Sequence, residues 1–522
     1  MAGGLIQLVA YGNQDLFLTR EPQITFFKIV YRRHTNFSLE VIPQNFIHRP
    51  DFGERVTCIL SRNGDLIRKV HVVIELPIIP EFIFNNELDE IIKFAWVKRI
   101  GFAIIKTVDI EIGDELIDRH YGDWLNIWYE LTTSRKKNID KLIGNIEEIT
   151  SFTNGKPSFR IYVPLQFWFN RITGLALPVV SLQYNHIKIN LEINEFNNCH
   201  FLSPSHYINV DNDFVNLKKD EIIMQNVSGD IVYGKFIYFD ILNRRLYFSK
   251  LSSENFLGLQ ESDQTILTDE TLQKEKLYEE QNGELVNANY FIIGKDSRFE
   301  VMPRINSVET IYTNPNIDLS NISLKDCFLL VEYIFLDDEE RIKFAQARHE
   351  YLIEQLIFNT REIINGFEQT FNVGFSQPCK EIIWISQLES NMDNNDHFNY
   401  SNSIFENNNN QNTIIKETVL FNGHERVSFR DSEYFTLIQP YQHHTHYPTS
   451  VINVYSFSNN PENHQPTGTA NLSRIDNVNL KVSCDQNINF NFQAELRIYG
   501  IVSNFLRIAN GISGIVFSID FK

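Results

Sequence analysis

Along most of the chain, apolar and polar residues follow one another in short runs that turn residues interrupt. The run KVHVVIEL (69–76) stops at Pro77, and KTVDIEI (106–112) alternates until Gly113-Asp114. In SLQYNHIKINLEI (181–193) the apolar residues fall mainly at every second position, with a slip between Tyr184 and Ile187 that predicts a bulge or bend. Later runs are EIIWI (381–385), INVYSF (452–457), INFNF (488–492) and GIVFSIDF (514–521). Many short strands separated by turns predict a sandwich or a barrel.

Two stretches have helical spacing instead. Over 116–131, Ile117, Tyr121, Trp124, Leu125, Trp128 and Leu131 line one face. Over 338–358, Ile342, Ala345, Leu352 and Leu356 do the same, and Asp337, Asp338, Glu339 and Glu340 stand where a helix dipole favours negative charge. Each stretch follows a strand and a pair of acids: KTVDIEI with Asp114 and Glu115, then LLVEYIFL (329–336) with Asp337 and Asp338. The pattern reads either as a faint internal repeat, two similar domains in tandem, or as coincidence between two amphipathic helices.

A polar stretch at 211–220 marks a boundary between two halves. The segment 254–284 carries nine acids against two lysines, and 391–412 is dominated by Asn, with NNNN at 407–410. Such segments bury too little apolar surface to form a core, so both read as long exposed loops.

A length of 522 residues suits two to four domains of ordinary size, or two large all-β ones, and either can bury a substantial core. With 41 Phe and 21 Tyr, the composition leans further towards sheet. The net charge of -19 and the lack of a basic tract argue against a phosphate-binding surface, so no direct nucleic-acid contact is expected. Cys58, Cys199, Cys327, Cys379 and Cys484 are far apart and odd in number, which fits a reducing compartment and disfavours a disulfide framework or a zinc site. The first residues lack the pattern of a secretory signal, and no window has the apolar length of a membrane span. The sequons at Asn36, Asn226, Asn321, Asn399 and Asn471 then read as chance matches.

Motifs for phosphate loops, metalloproteases and nucleophile elbows are missing from the sequence. The densest ligand-like cluster is QPYQHHTHYP, with His443, His444 and His446. On a strand, His444 and His446 would share a face and could hold a metal, with Asp431 or Glu433 nearby as a carboxylate. The simpler reading has these histidines hydrogen-bonded at a domain or subunit interface, and no metal or cofactor is expected. Trp124, Trp128, Trp168 and Trp384 could stack on sugars, but all sit in apolar runs where core packing explains them better.

The opening MAGGLIQLVAYGNQDLFLTREPQITFFKIVYRRHTNF closely resembles the start of major capsid proteins of nucleocytoplasmic large DNA viruses, the phycodnavirus, iridovirus and mimivirus-like group. So do DLIRKVHVVIELP, HYGDWLNIWYEL, VPLQFWFNRITGLALPVVSLQYNHIKI and ERIKFAQARHEYLIEQ. Further on, NGHERVSFRDSEYFTLIQPYQHHT, INVYSFSNNPENHQPTGTANLSRID and LRIYGIVSNFLRIANGISGIVFS continue the match in family order.

The resemblance implies an all-β double jelly roll, two tandem eight-stranded rolls with a few short helices in loops. Residues 1–24 would form an arm at the inner capsid face, 25–215 the first roll, and 216–522 the second, carrying exposed loops at 254–284 and 391–412. Three copies would form a pseudo-hexagonal homotrimer that tiles an icosahedral shell. Implied partners are neighbouring capsomers, minor capsid and penton proteins, and an internal membrane. The implied location is the virion, with assembly in the host cytoplasm. Algal-virus members also carry Asn-linked glycans, often outside the ordinary sequon. Two other readings remain at this stage: a transient scaffold like that of poxviruses, and an enzyme or lectin on a β-sandwich, for which His444 and His446 would be the only candidate site.

Overall fold

The computed structural model describes residues 3–10, 12–81, 93–133, 137–218, 221–227, 230–252, 254–258, 278–281, 284–287, 291–312, 319, 321–359, 361–402, 412–484 and 493–517. Two sandwiches of the same plan make up most of it. The strands of the first are β1 (Phe37–Asn45), β2 (Arg55–Ile59), β3 (Leu66–Leu76), β4 (Ile105–Ile112), β5 (Glu115–Tyr121), β6 (Phe159–Pro164), β7 (Ile187–Ile193) and β8 (Asp326–Leu336). They form two facing sheets, β1-β8-β3-β6 and β2-β7-β4-β5, with antiparallel pairing.

The second sandwich has β9 (His349–Phe358), β10 (Glu368–Asn372), β11 (Pro378–Leu388), β12 (Ile414–Phe421), β13 (His424–Glu425), β14 (Asn453–Ser456), β15 (Val478–Cys484) and β16 (Ala494–Ala509). Its sheets are β9-β16-β11-β14 and β10-β15-β12-β13. Numbered within each body, both run 1-8-3-6 and 2-7-4-5, the jelly-roll order. The strand–acid–helix pattern is a coincidence outside this repeat: its first helix follows β5 within the first body, and its second lies between β8 and β9, where the two bodies join.

β8 reaches its sheet from far along the chain. It lies between β1 and β3, with Val331 opposite Ile42 and Val70. Leu329, Val331 and Tyr333 are fully buried in the first core because alternate side chains of a strand face one side. The expected division at 215–216 assigns this strand to the other half; its hydrogen bonds tie it to the first. Between β7 and β8 the chain builds a further seven-stranded sheet, from His206–Asn209 to Thr310–Ile311, around Ile208, Val232, Phe248, Phe256 and Ile292. The acidic stretch 254–284 belongs to this insertion and lies mostly outside the described residues.

Both helical expectations need correction. Residues 115–121 are strand, and the helix starts only at Gly122 and runs to Thr132. The second helix covers Asp338–Gln346 and buries nothing, while Leu352 and Leu356 lie on β9. Of 181–193 only β7 is strand, and Tyr184 points into solvent. INFNF lies outside the described residues, and the terminal run is strand over Ile512–Ile515.

The Asn-rich stretch is not exposed throughout. Asn391, Tyr400 and Ser401 are buried. Asn395 Nδ2 donates to the carbonyls of Asn197 and His200, which ties the stretch to the first body. Gln387 Nε2 donates to the carbonyls of Asp396 and His397. Residues 403–411, with NNNN, lie outside the described residues.

Candidate functional site at the joint between the two bodies

The helix Gly122–Thr132 leaves β5 and crosses onto the second body. Its start needs glycine, since a Cβ at Gly122 would collide with the carbonyl oxygens of Phe102 and Ile105. Trp124, Ile127, Trp128 and Leu131 pack on the outer face of the β9-β16-β11-β14 sheet, against Leu356, Ile383, Ile385, Val454, Tyr499 and Ile501. The rings of Trp124 and Tyr499 are 5.7 Å apart, and the Arg171 guanidinium stands 4.8 Å over Trp128. All four tryptophans singled out from the sequence are buried, with Trp168 and Trp384 in the cores of the first and second bodies.

Polar groups fix the helix ends. At the start, Asp123 pairs with Arg497 of β16, which also bonds Glu495 at 2.6 Å. Near the end, the buried Glu130 pairs with Arg99 and accepts from the backbone N–H groups of Thr449 and Ser450 at 2.9 Å each. Burial alone would raise the Glu130 pKa; Arg99 and Ser450 override it and hold the carboxyl below its ordinary value. A second strut joins β5 to β9, where the Leu356 N–H donates to Asp118 Oδ1 at 3.0 Å.

Of the histidine cluster, His446 meets this joint, while His443 and His444 bond within the second body. The cluster is not on a strand: Gln439–His443 is helical, and His444 follows in extended conformation. The His446 N–H donates to the Leu131 carbonyl at 2.9 Å, and its Nδ1 lies 2.8 Å from the Glu130 carbonyl. His443 Nδ1 lies 3.1 Å from the Asn459 carbonyl. The His444 imidazole is shut off from solvent between Glu381 at 3.0 Å and Glu462 at 3.1 Å. Burial works against its charge, but the two carboxylates prevail and raise its pKa to about 9. Asp431 pairs with Lys416 at 3.6 Å, and Glu433 is exposed. The three histidines therefore serve three different partners, and no cluster of metal-ligating side chains occurs among the described residues.

The sequence did not single out two further buried ion pairs, Arg497 with Asp123 and Lys380 with Glu354. The available signal was a lone cation inside an apolar strand, Arg497 in LRIYGIV and Lys380 before EIIWI. All five cysteines are buried thiols outside any disulfide, and burial pushes Cys58 up to about 11 and leaves it un-ionised at neutral pH.

The arrangement holds the two bodies together through a buried aromatic patch and paired charges. Residues 25–240 match the family described as major capsid protein N-terminus, and 340–514 that described as large eukaryotic DNA virus major capsid protein. The chain is 38% identical to probable capsid protein 4 of Acanthamoeba polyphaga mimivirus over 99% of both chains. It is 31% identical to the major capsid protein of Phaeocystis pouchetii virus over 99% of this chain and 100% of that one. The fold matches the Faustovirus major capsid protein with a TM-score of 0.63 at 12% identity, covering 96% of this chain and 94% of that one. It matches PBCV-1 VP54 with a TM-score of 0.60 at 23% identity, covering 95% and 100%. The chain belongs to the family of major capsid proteins of large eukaryotic DNA viruses, structural components of the virion and not enzymes.

Proposed function

We propose that three copies of the chain form a pseudo-hexagonal capsomer that tiles an icosahedral shell. The carrying observation is the repeat: one chain holds two sandwiches of the same strand order, so three chains present six similar blocks. Closed rings are the ordinary outcome of a head-to-tail contact whose rotation closes. Residues 1–24 would be an arm at the inner face, meeting minor capsid proteins, penton proteins and an internal membrane. Leu5, Leu8, Val9 and Leu18 of this arm are exposed, which supports a role in docking. The loops expected at 254–284 and 391–412 would lie towards the outer surface.

Assembly in the host cytoplasm fits five cysteines that form no disulfide. The charge of -19 supports a shell that does not grip DNA. No residue is assigned a catalytic, cofactor or metal role. The test is the native mass of the purified chain, expected at about three times 61.1 kDa. A monomer at high protein concentration would overturn the reading.

A further inference from the structure

Within the chain, the first body grips the second in one defined way. The helix in its β5–β6 connection lies on the outer face of the partner's β9-β16-β11-β14 sheet. The second body carries a helical segment in the equivalent connection, between β13 and β14: a π turn at Tyr434–Ile438 that runs into Gln439–His443. Phe435, Gln439 and Pro440 of this segment face inward and are buried. Leu437, Ile438 and Tyr441 face away, with exposures of 41%, 45% and 82%. In the first helix, Trp124, Ile127 and Trp128 make the grip.

The receiving face is open too. On the first body the equivalent sheet is β1-β8-β3-β6. Cys327, Leu329, Val331 and Tyr333 of β8 point into the core, so Phe328 and Leu330 point outward, and both are half-buried. Register places Pro43 beside Leu330 and Val41 beside Glu332, so β1 adds Leu39, Val41 and Pro43 to the same face. Leu39 and Val41 are 44% and 56% exposed. Each chain therefore has one filled copy of this contact inside it, one helix whose apolar residues are unfilled, and one sheet face whose exposed apolar residues flank the Arg68–Glu332 ion pair, with Ile334 at its end covered by Phe344.

We propose that Leu437, Ile438 and Tyr441 dock on the outer β1-β8-β3-β6 face of a second copy of the chain, against Val41, Phe328 and Leu330. A contact of this kind is heterologous, and repeating it around an axis closes a ring in which internal and external grips alternate. Apolar residues on matching, otherwise uncovered faces mark association surfaces. The proposal rests on the self-assembly reading above and names the surfaces that would carry it.

The test uses the full chain in two variants, Leu437→Asp/Ile438→Asp on the helix and Val41→Asp/Leu330→Asp on the sheet. Mass by light scattering is read beside the unfolding midpoint. The expected result is monomer from either variant, at least a tenfold loss of trimer at equal concentration, with the midpoint of the monomer preserved. A photo-crosslinking benzophenone side chain at position 441 of the otherwise unaltered chain gives a readout that needs no disruption. Its adducts are expected within 37–45 and 326–336 of another chain. A trimeric wild type whose variants stay trimeric, or whose adducts fall only elsewhere, overturns this docking while leaving the trimer intact. A monomeric wild type overturns the trimer itself.

Discussion

Glu417 and His444 are buried ionisable groups that titrate in the same direction on folding. Burial pushes Glu417 up to about 8, against a smaller opposing effect of the hydrogen bond it accepts from Trp384 Nε1 at 2.7 Å. Its folded form holds a proton that the unfolded chain gives up above its ordinary carboxyl range, so stability falls from pH 4.5 to about 8. His444, raised from 6.5 to about 9, contributes stability that is full below 6.5 and lost as pH climbs through 9. The unfolding midpoint should therefore decline between pH 6.5 and 9. Glu417→Gln, which keeps an acceptor for Trp384, should flatten the decline below pH 8; a profile unchanged by it would contradict the assignment. Arg99→Ala should cost about 3–5 kcal/mol by denaturant titration, because it strands the Glu130 carboxylate in the joint. At this scale the sequence told residue types but not partners. QPYQHHTHYP announced three imidazoles, yet whether they converge depended on Glu381, Glu462 and the end of a helix from the other body.

The elements were legible where a single face is buried. β4 alternates, and its pattern predicts the strand with nearly its observed limits. That of β9 does not, because its core-facing side meets one body and its outer side another. LIEQLIF then loses its alternation and imitates a helix. The strand residues Leu116–Tyr121 imitate a helix for a related reason, since Ile117 and Tyr121 fall by chance in step with the true helix beyond them. That helix brings Trp124, Ile127, Trp128 and Leu131 to the joint. Trp124→Ala or Trp128→Ala should each destabilise the chain by about 3–5 kcal/mol, measured by chemical unfolding. A loss below 1 kcal/mol would mean that the two bodies hold together by other contacts.

For the whole molecule, the duplication and the insertion have opposite visibility. The tandem architecture was legible through the resemblance, since the recurring strand–acid–helix pattern joins corners that are not equivalent in the two bodies. The place of β8 was not, because no local pattern tells a strand that its neighbours lie on the far side of an insertion. A chain cut after residue 215 should fail to give a cooperative unfolding transition, whereas one extended through 337 should recover it. The same strand sets a clock on synthesis. β1 and β3 emerge early, but the strand that seals them together is translated only after the entire insertion. At ordinary elongation rates the nascent first body waits with an open slot for on the order of ten seconds. Throughout that interval two apolar strand edges on every ribosome of a crowded polysome are matched to each other's neighbours, so the danger to this protein is greatest before it is complete, and chaperone capture belongs to that window.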